Sequence, residues 1–179
     1  MRKSMLVPGT TGFVLRPGVT NARLWHPIRP PKAVWKKTRK IVLERDNYIC
    51  VSCGHRALKW MNIHHLEESE DNDPANLKTV CVACHAILHM GMNLSLGSIE
   101  IWKCELSQVE IVQKTRAGVK DGKSLVEIKK SFKLKKGPLA VTSVDYANNL
   151  IRTMGNEPRA SLPEPLCAVF VDLKRWQVE

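Results

Sequence analysis

The sequence predicts an α+β chain: short strands and a short helix at its centre, a basic helix before them, and a small, mainly helical region after them. Three observations carry that expectation. Two C-x-x-C hooks, Cys50 with Cys53 and Cys81 with Cys84, bracket a stretch that contains the pair His64-His65. Apolar residues recur at helical spacing over residues 32–46, with lysines and arginines crowded between them. Beyond residue 106, Ser107 with Glu110, Ser124 with Glu127, and Thr142 with Asp145 stand in capping arrangements, the last with Asp in place of the usual Glu.

Composition sets the outer bounds. The chain has 179 residues, 44% hydrophobic and 25% charged, the ordinary balance of a globular protein. Its net charge of +11 is not ordinary and favours a polyanionic partner, nucleic acid ahead of a membrane surface, over an unspecific basic surface. No apolar run approaches the roughly 20 residues of a membrane-spanning helix. The N-terminus is basic but breaks at Pro8 and Gly9 before an apolar region develops, unlike a signal peptide. The expectation is therefore a cytoplasmic protein with no membrane partner. Cys104 and Cys167 stand apart from the hooks and are expected as small buried apolar residues.

Residues 1–31 are punctuated by Pro8, Gly9, Gly12, Pro17, Gly18, Pro27, Pro30 and Pro31, which forbids regular helix. They read as an extended arm made basic by Arg2, Lys3, Arg16, Arg23 and Arg29 and pinned by Trp25, either touching nucleic acid or simply tethered. Over 32–46, Val34, Trp35, Thr38, Ile41, Val42 and Arg45 form the inward stripe of a helix, and Lys36, Lys37, Arg39 and Lys40 its basic face. That face is either solvated or a phosphate contact. From Trp60 a short strand carries His64-His65 into an acidic loop over 67–73. Of those acids, only Asp73 has a structural task, shaping the turn before Pro74.

After His89 the chain passes Gly91 and Gly97 to a strand-like run over 99–102. The first two capped helices are joined by a tight turn over 120–123, and the second runs into Lys129, Lys130, Lys133, Lys135 and Lys136. The third, over about 143–154, stops at Gly155. The trio resembles a helix-turn-helix, although the connection over 132–141, with Gly137 and Pro138, is long for one. An apolar run over 167–171 completes the core.

The chemistry lies in residues 50–89. Two residues between cysteines let both sulfurs of a hook face one ion, and two hooks supply the four thiolates of a closed tetrahedral zinc site. A redox role needs one C-x-x-C in a thioredoxin-like context that is missing here. Adjacent residues on a strand point to opposite sides, so His64 could face a metal while His65 faces a substrate. His85 and His89, four apart at the start of a helix, share a face.

Taken together, R-D-N-Y-I-C-V-S-C-G, the H-H of the first strand, the N-L before the second hook and the final C-x-x-C-H resemble an HNH endonuclease of the ββα-metal nuclease superfamily, in its four-cysteine form. The resemblance covers residues 35–89. It implies two strands and a helix around one catalytic divalent ion, and cutting that leaves a 5′-phosphate and a 3′-hydroxyl. On this resemblance His64 is a ligand of the catalytic metal, His65 the general base, Asn76 the residue that holds the hairpin loop and so orients the base, and His85 the second ligand. His89 matches a third ligand found in some members. Many relatives carry Asp where His64 stands. A histidine there makes the site less oxygen-rich and opens Zn2+, Ni2+ and Co2+ beside the expected Mg2+ or Mn2+.

The expected organisation is then an arm at 1–31, an HNH nuclease domain at 32–92, a linker at 93–106 and a helical C-terminal domain at 107–179. The expected activity is metal-dependent hydrolysis of DNA, double-stranded first, with Cys50, Cys53, Cys81 and Cys84 holding structural Zn2+. Cutting both strands with one site per chain would favour a homodimer or a partner protein, and the system expected is bacterial or phage-encoded. Two other readings stand beside it: a non-catalytic zinc-ribbon and helix-turn-helix DNA-binding regulator, and the nuclease subunit of a larger defence or mobile-element complex.

Overall fold

A computed structural model of the chain describes residues 13–20, 30–66, 71–136, 143–153, 157, 159–163, 165–174 and 176. Among these the chain is a mixed α/β protein with three two-stranded antiparallel sheets and six α-helices, compatible with the α+β class expected.

The first helix, α1 (Lys32–Arg45), follows Pro31, whose fixed φ suits a helix entry. It buries Val42 and Leu43 and leaves Val34 and Ile41 exposed, so its inward stripe is rotated from the expected one. Two of its arginines turn toward the next sheet, and of these Arg39 was expected on the basic face. Arg39 donates to the Met61 carbonyl at 2.6 Å, and Arg45 donates to the carbonyls of Pro74 and Leu77, each at 2.6 Å. Guanidinium forks thus tie α1 to the next sheet, while Lys36, Lys37 and Lys40 remain exposed.

That sheet is the hairpin of β2 (Met61–His65) and β3 (Leu77–Cys81), in the register Met61 opposite Cys81 and His65 opposite Leu77. Its loop closes through a 3-10 turn, Pro74–Asn76, where the Asp73 carboxylate accepts from Ala75 N at 2.7 Å. This is the turn-shaping task expected of Asp73. Asp46, just past α1, accepts from Thr79 N at 2.8 Å and fixes β3 from outside. Helix α2 (Val82–Leu88) follows β3 directly, and a single residue, His89, separates it from α3 (Met90–Ser95).

Residues 93–106, expected as a linker, are packed structure. They carry the end of α3 and β4 (Ile99–Lys103), which pairs along its whole length with β6 (Leu166–Phe170) and buries Ile99 and Ile101. Helices α4 (Gln108–Lys120) and α5 (Leu125–Ser131) both open with complete capping boxes, Ser107 with Glu110 and Ser124 with Glu127. They approach so closely that a Cβ on Gly118 would lie 2.6 Å from Ile128. Helix α6 (Ser143–Thr153) packs chiefly on α3 and on β1 (Gly18–Thr20). Helices α4 and α5 pack on each other. Thr142, Gly155 and the connection over 137–142 lie outside the described residues.

Strand β1 belongs to the arm. It pairs with β5 (Arg159–Ser161), and Leu15 and Val19 are buried in the main core, so residues 13–20 are part of the body rather than a free tail. Residues 1–12 and 21–29, including Trp25, lie outside the described residues. Cys104 and Cys167 are buried beside Ile111, Ile128 and Phe132. Burial, ahead of the neighbouring Cys104, pushes the Cys167 thiol up to about 12, as befits the inert apolar role expected of it. No helix among the described residues is long and apolar enough to cross a membrane.

Candidate metal centres

The two hooks converge. Cys50–Cys53 is a tight turn in which Gly54 N donates to the Cys50 carbonyl at 2.9 Å and Cys50 N to the His55 carbonyl at 2.8 Å. Gly54 closes it at φ +75°, a conformation that L side chains rarely adopt. Val51 N bonds the Thr79 carbonyl and so lays this turn against β3, whose last residue is Cys81. Cys81 caps α2, its sulfur accepting from Cys84 N at 3.4 Å. As a result the four sulfurs lie within 4.8 Å of one another, all buried. The Cys53 and Cys81 sulfurs are 3.7 Å apart. Sulfurs at ~2.3 Å from a tetrahedral ion would be separated by ~3.8 Å.

Electrostatics point the same way. Hydrogen bonds from Cys53, Cys81 and Cys84 hold the Cys50 thiol far below the ordinary range, while the proximity of Cys50 pushes Cys81 and Cys84 well up. Four thiolates cannot coexist here without a cation. Helix α4 closes over the cluster, with Arg116 donating to the Cys81 sulfur at 3.3 Å and Gln113 to the Cys53 carbonyl at 3.0 Å. Arg116 also stacks over the buried Trp176 ring at 5.0 Å. Four buried cysteines this close could hold a metal ion such as zinc.

The histidines form a second cluster. His64 on β2, His85 on α2 and His89 just beyond it bring their ligating nitrogens within 4.8 Å of one another. The expectation that His85 and His89 share the start of a helix holds only for His85, because α2 ends at Leu88 and His89 takes a non-helical φ of −114° and ψ of 50°. Even so, the His85 and His89 rings sit 4.6 Å apart, and His64 lies 5.1 Å from His89. Burial, then the neighbouring His89 and His85, pushes His64 down to about 2. Burial and then Arg159 push His89 to about 4. Both rings are neutral near pH 7, the form a metal needs. His64 Nε2 is also buried with no hydrogen-bond partner, a situation that costs about 1–3 kcal/mol unless something satisfies it. A cation would, and the residues therefore fit one.

His65 faces the other way. Its ring stacks against Trp35 of α1 at 6.3 Å, tilted by only 15°, and its Nε2 lies 3.2 Å from Asn72 Oδ1. Asn76 acts on the loop: its side chain donates to the Asp71 carbonyl at 3.0 Å, and its own carbonyl accepts from Leu66 N at 2.8 Å. It thereby braces the turn that carries Asn72. Glu67, Glu68 and Glu70 lie outside the described residues.

Several neighbours of the histidines were not among the expected site residues. Thr20 Oγ1 stands 3.0 Å from His89 Nδ1, Phe13 packs edge-on against His64 at 6.3 Å, and Arg159 acts on both His64 and His89. They come from the arm and from the C-terminal region, where no local motif marks them. Asn72 and Trp35 were within reach of sequence reasoning, since one lies in the hairpin loop and the other on the inward stripe of α1. No protein-family model and no curated protein matches the chain.

Proposed function

We propose that the chain is a metal-dependent HNH endonuclease, with a structural zinc on Cys50, Cys53, Cys81 and Cys84 and a second, catalytic divalent ion on His64, His85 and His89. The observation that supports this most is the meeting of those three imidazoles, on a hairpin followed by a helix, with His65 on the next residue of the same strand. A non-catalytic zinc-ribbon regulator would leave that second cluster without a use.

A divalent ion at the histidines would neutralise the phosphodiester and stabilise the departing oxygen. Three imidazoles with no carboxylate among them turn the choice from Mg2+ toward Mn2+, Co2+, Ni2+ or Zn2+. His65 takes the proton from the attacking water, for which an imidazole has a suitable basicity near neutral pH. With Asn72 Oδ1 accepting from Nε2, the ring's lone pair is on Nδ1. Stacking on Trp35 and the loop braced by Asn76 fix the ring's orientation. Water attacks phosphorus, its proton passes to His65, the bond to the 3′ oxygen breaks and that oxygen takes a proton from solvent, giving a 5′-phosphate and a 3′-hydroxyl. The exposed Lys36, Lys37 and Lys40 on α1 would meet flanking phosphates.

The test is plasmid nicking by the purified chain with each ion in turn. His65→Ala should lose at least ~100-fold of the cutting rate while keeping fold and metal content. Equal rates for the wild type and His65→Ala with every ion would overturn the proposal.

A further inference from the structure

The cluster of three histidines is walled on one side by a ribbon made from the two ends of the chain, and that ribbon carries a guanidinium. In the β1–β5 pair Thr20 is directly opposite Arg159, so both side chains leave the same face. Thr20 reaches His89 Nδ1 at 3.0 Å, which fixes the side of the ribbon that faces the histidines. Arg159 lies diagonally across β1 over Gly18 and donates from Nη2 to the Arg16 carbonyl at 3.3 Å. A Cβ on Gly18 would stand 2.5 Å from Arg159 Nε, 2.6 Å from its Nη2 and 2.9 Å from the Leu88 carbonyl at the end of α2. Gly18 therefore supplies the space that the guanidinium occupies, close to the end of α2 and the residue before His89.

Charge makes this placement informative. The His64–His85–His89 set contributes three neutral donors and no anion to offset a dication. Lys78, half-buried on β3, is directly opposite His64 and adds a second positive group on that face of the hairpin. A guanidinium beside such a site repels the ion it would hold. The arrangement becomes favourable when an anion lies between the ion and the arginine. A planar fork with paired N–H groups matches two oxygens of a phosphate.

We propose that Arg159 is a phosphate-binding catalytic residue of the histidine site, held over Gly18 by the β1–β5 ribbon to grip the non-bridging oxygens of the phosphodiester. This rests on the nuclease reading of the same site, and it makes residues 18–20 and 159–161 part of the active centre rather than accessories to it.

The experiment uses the full chain with zinc retained and Co2+ added at the histidines. Inorganic phosphate binding is measured by calorimetry and by the change in the Co2+ absorption spectrum. Arg159→Gln is expected to weaken phosphate binding about tenfold or more and to tighten Co2+ binding in phosphate-free buffer. Arg159→Lys should fall between the two, since it keeps the charge without the fork. Gly18→Ala keeps the charge but displaces the guanidinium, and should also weaken phosphate binding. Thermal melts of all three variants report the fold. If Arg159 were only a cap on the end of α2, the melting temperature would drop and phosphate affinity would stay at the wild-type value, which would overturn the proposal. The nuclease reading fails separately: phosphate binding that depends on Arg159, with no DNA cutting under any ion, would keep the anion site and remove the nuclease.

Discussion

The cysteine cluster and the histidine cluster draw on the same hairpin and the same short helix, yet they are built differently. The sulfurs come from tight turns and a helix cap, all four are buried, and α4 closes over them through Arg116 and Gln113. The imidazoles come from a strand, a helix and the break after it, and two of the three are half-exposed. One set would be charged and needs a cation to exist; the other is neutral and leaves a buried nitrogen without a partner. The two sets use different ends of the hairpin but neighbouring residues of α2, Cys84 and His85. Cys81 and Met61 sit at one end of the hairpin, and His65 and Leu77 at the other.

Breaking the scaffold should have the largest effect. Cys84→Ser, or strong chelation of the wild type, should unfold the chain outright, since binding free energies of structural zinc, about 10–16 kcal/mol in zinc-finger peptides, match the whole stability of a typical domain. Far-ultraviolet circular dichroism would record it. Persistence of the native spectrum after exhaustive chelation would mean that the cysteines are not the scaffold.

An intermediate effect is expected from acid acting on the histidines of protein that keeps its cysteine-bound zinc and carries no ion at the histidines. An unfolded histidine takes up a proton near pH 6.5, whereas His64 does so only at about 2 and His89 at about 4. Between those values the unfolded state binds more protons, so stability rises with pH in this window and is lost as pH falls below about 6.5. Denaturant melts from pH 7 to 4 should show that slope, and His64→Ala should flatten it. A slope unchanged in the variant would assign the acid sensitivity to other groups.

The smallest effect is expected away from both clusters. Gly118→Ala would press a methyl into Ile128 and cost about 1–3 kcal/mol by overpacking α4 against α5. The melting temperature should fall by several degrees with both metal contents unchanged. A loss of either ion would show that the two regions are coupled more tightly than the comparison holds.

What the sequence made legible follows from distance along the chain. The hooks, the histidine pair, both capping boxes and the Asp73 turn are local patterns, and their geometry needs only a few neighbouring residues. Within residues 93–106 the strand-like run over 99–102 was legible, but its partner was not, because β6 lies more than sixty positions later. Thr20 and Arg159 were invisible for the same reason, since Arg159 bonds a carbonyl 143 positions away. Arg39 was expected on the basic face of α1 because periodicity counts it as a solvated charge, whereas its guanidinium finds the Met61 carbonyl. The helix break before His89 has no sequence signal of its own. His85 and His89 are nonetheless neighbours, because His89 folds back beside Thr20.

The central claim is that one short segment holds two metals with separate duties. Native mass spectrometry of the full chain, titrated with Zn2+ and Co2+, tests it most directly. Two ions per wild-type chain are expected, one resistant to mild chelation and one exchangeable, with His85→Ala keeping the first and losing the second. A single ion in the wild type, or two ions retained by His85→Ala, would contradict it.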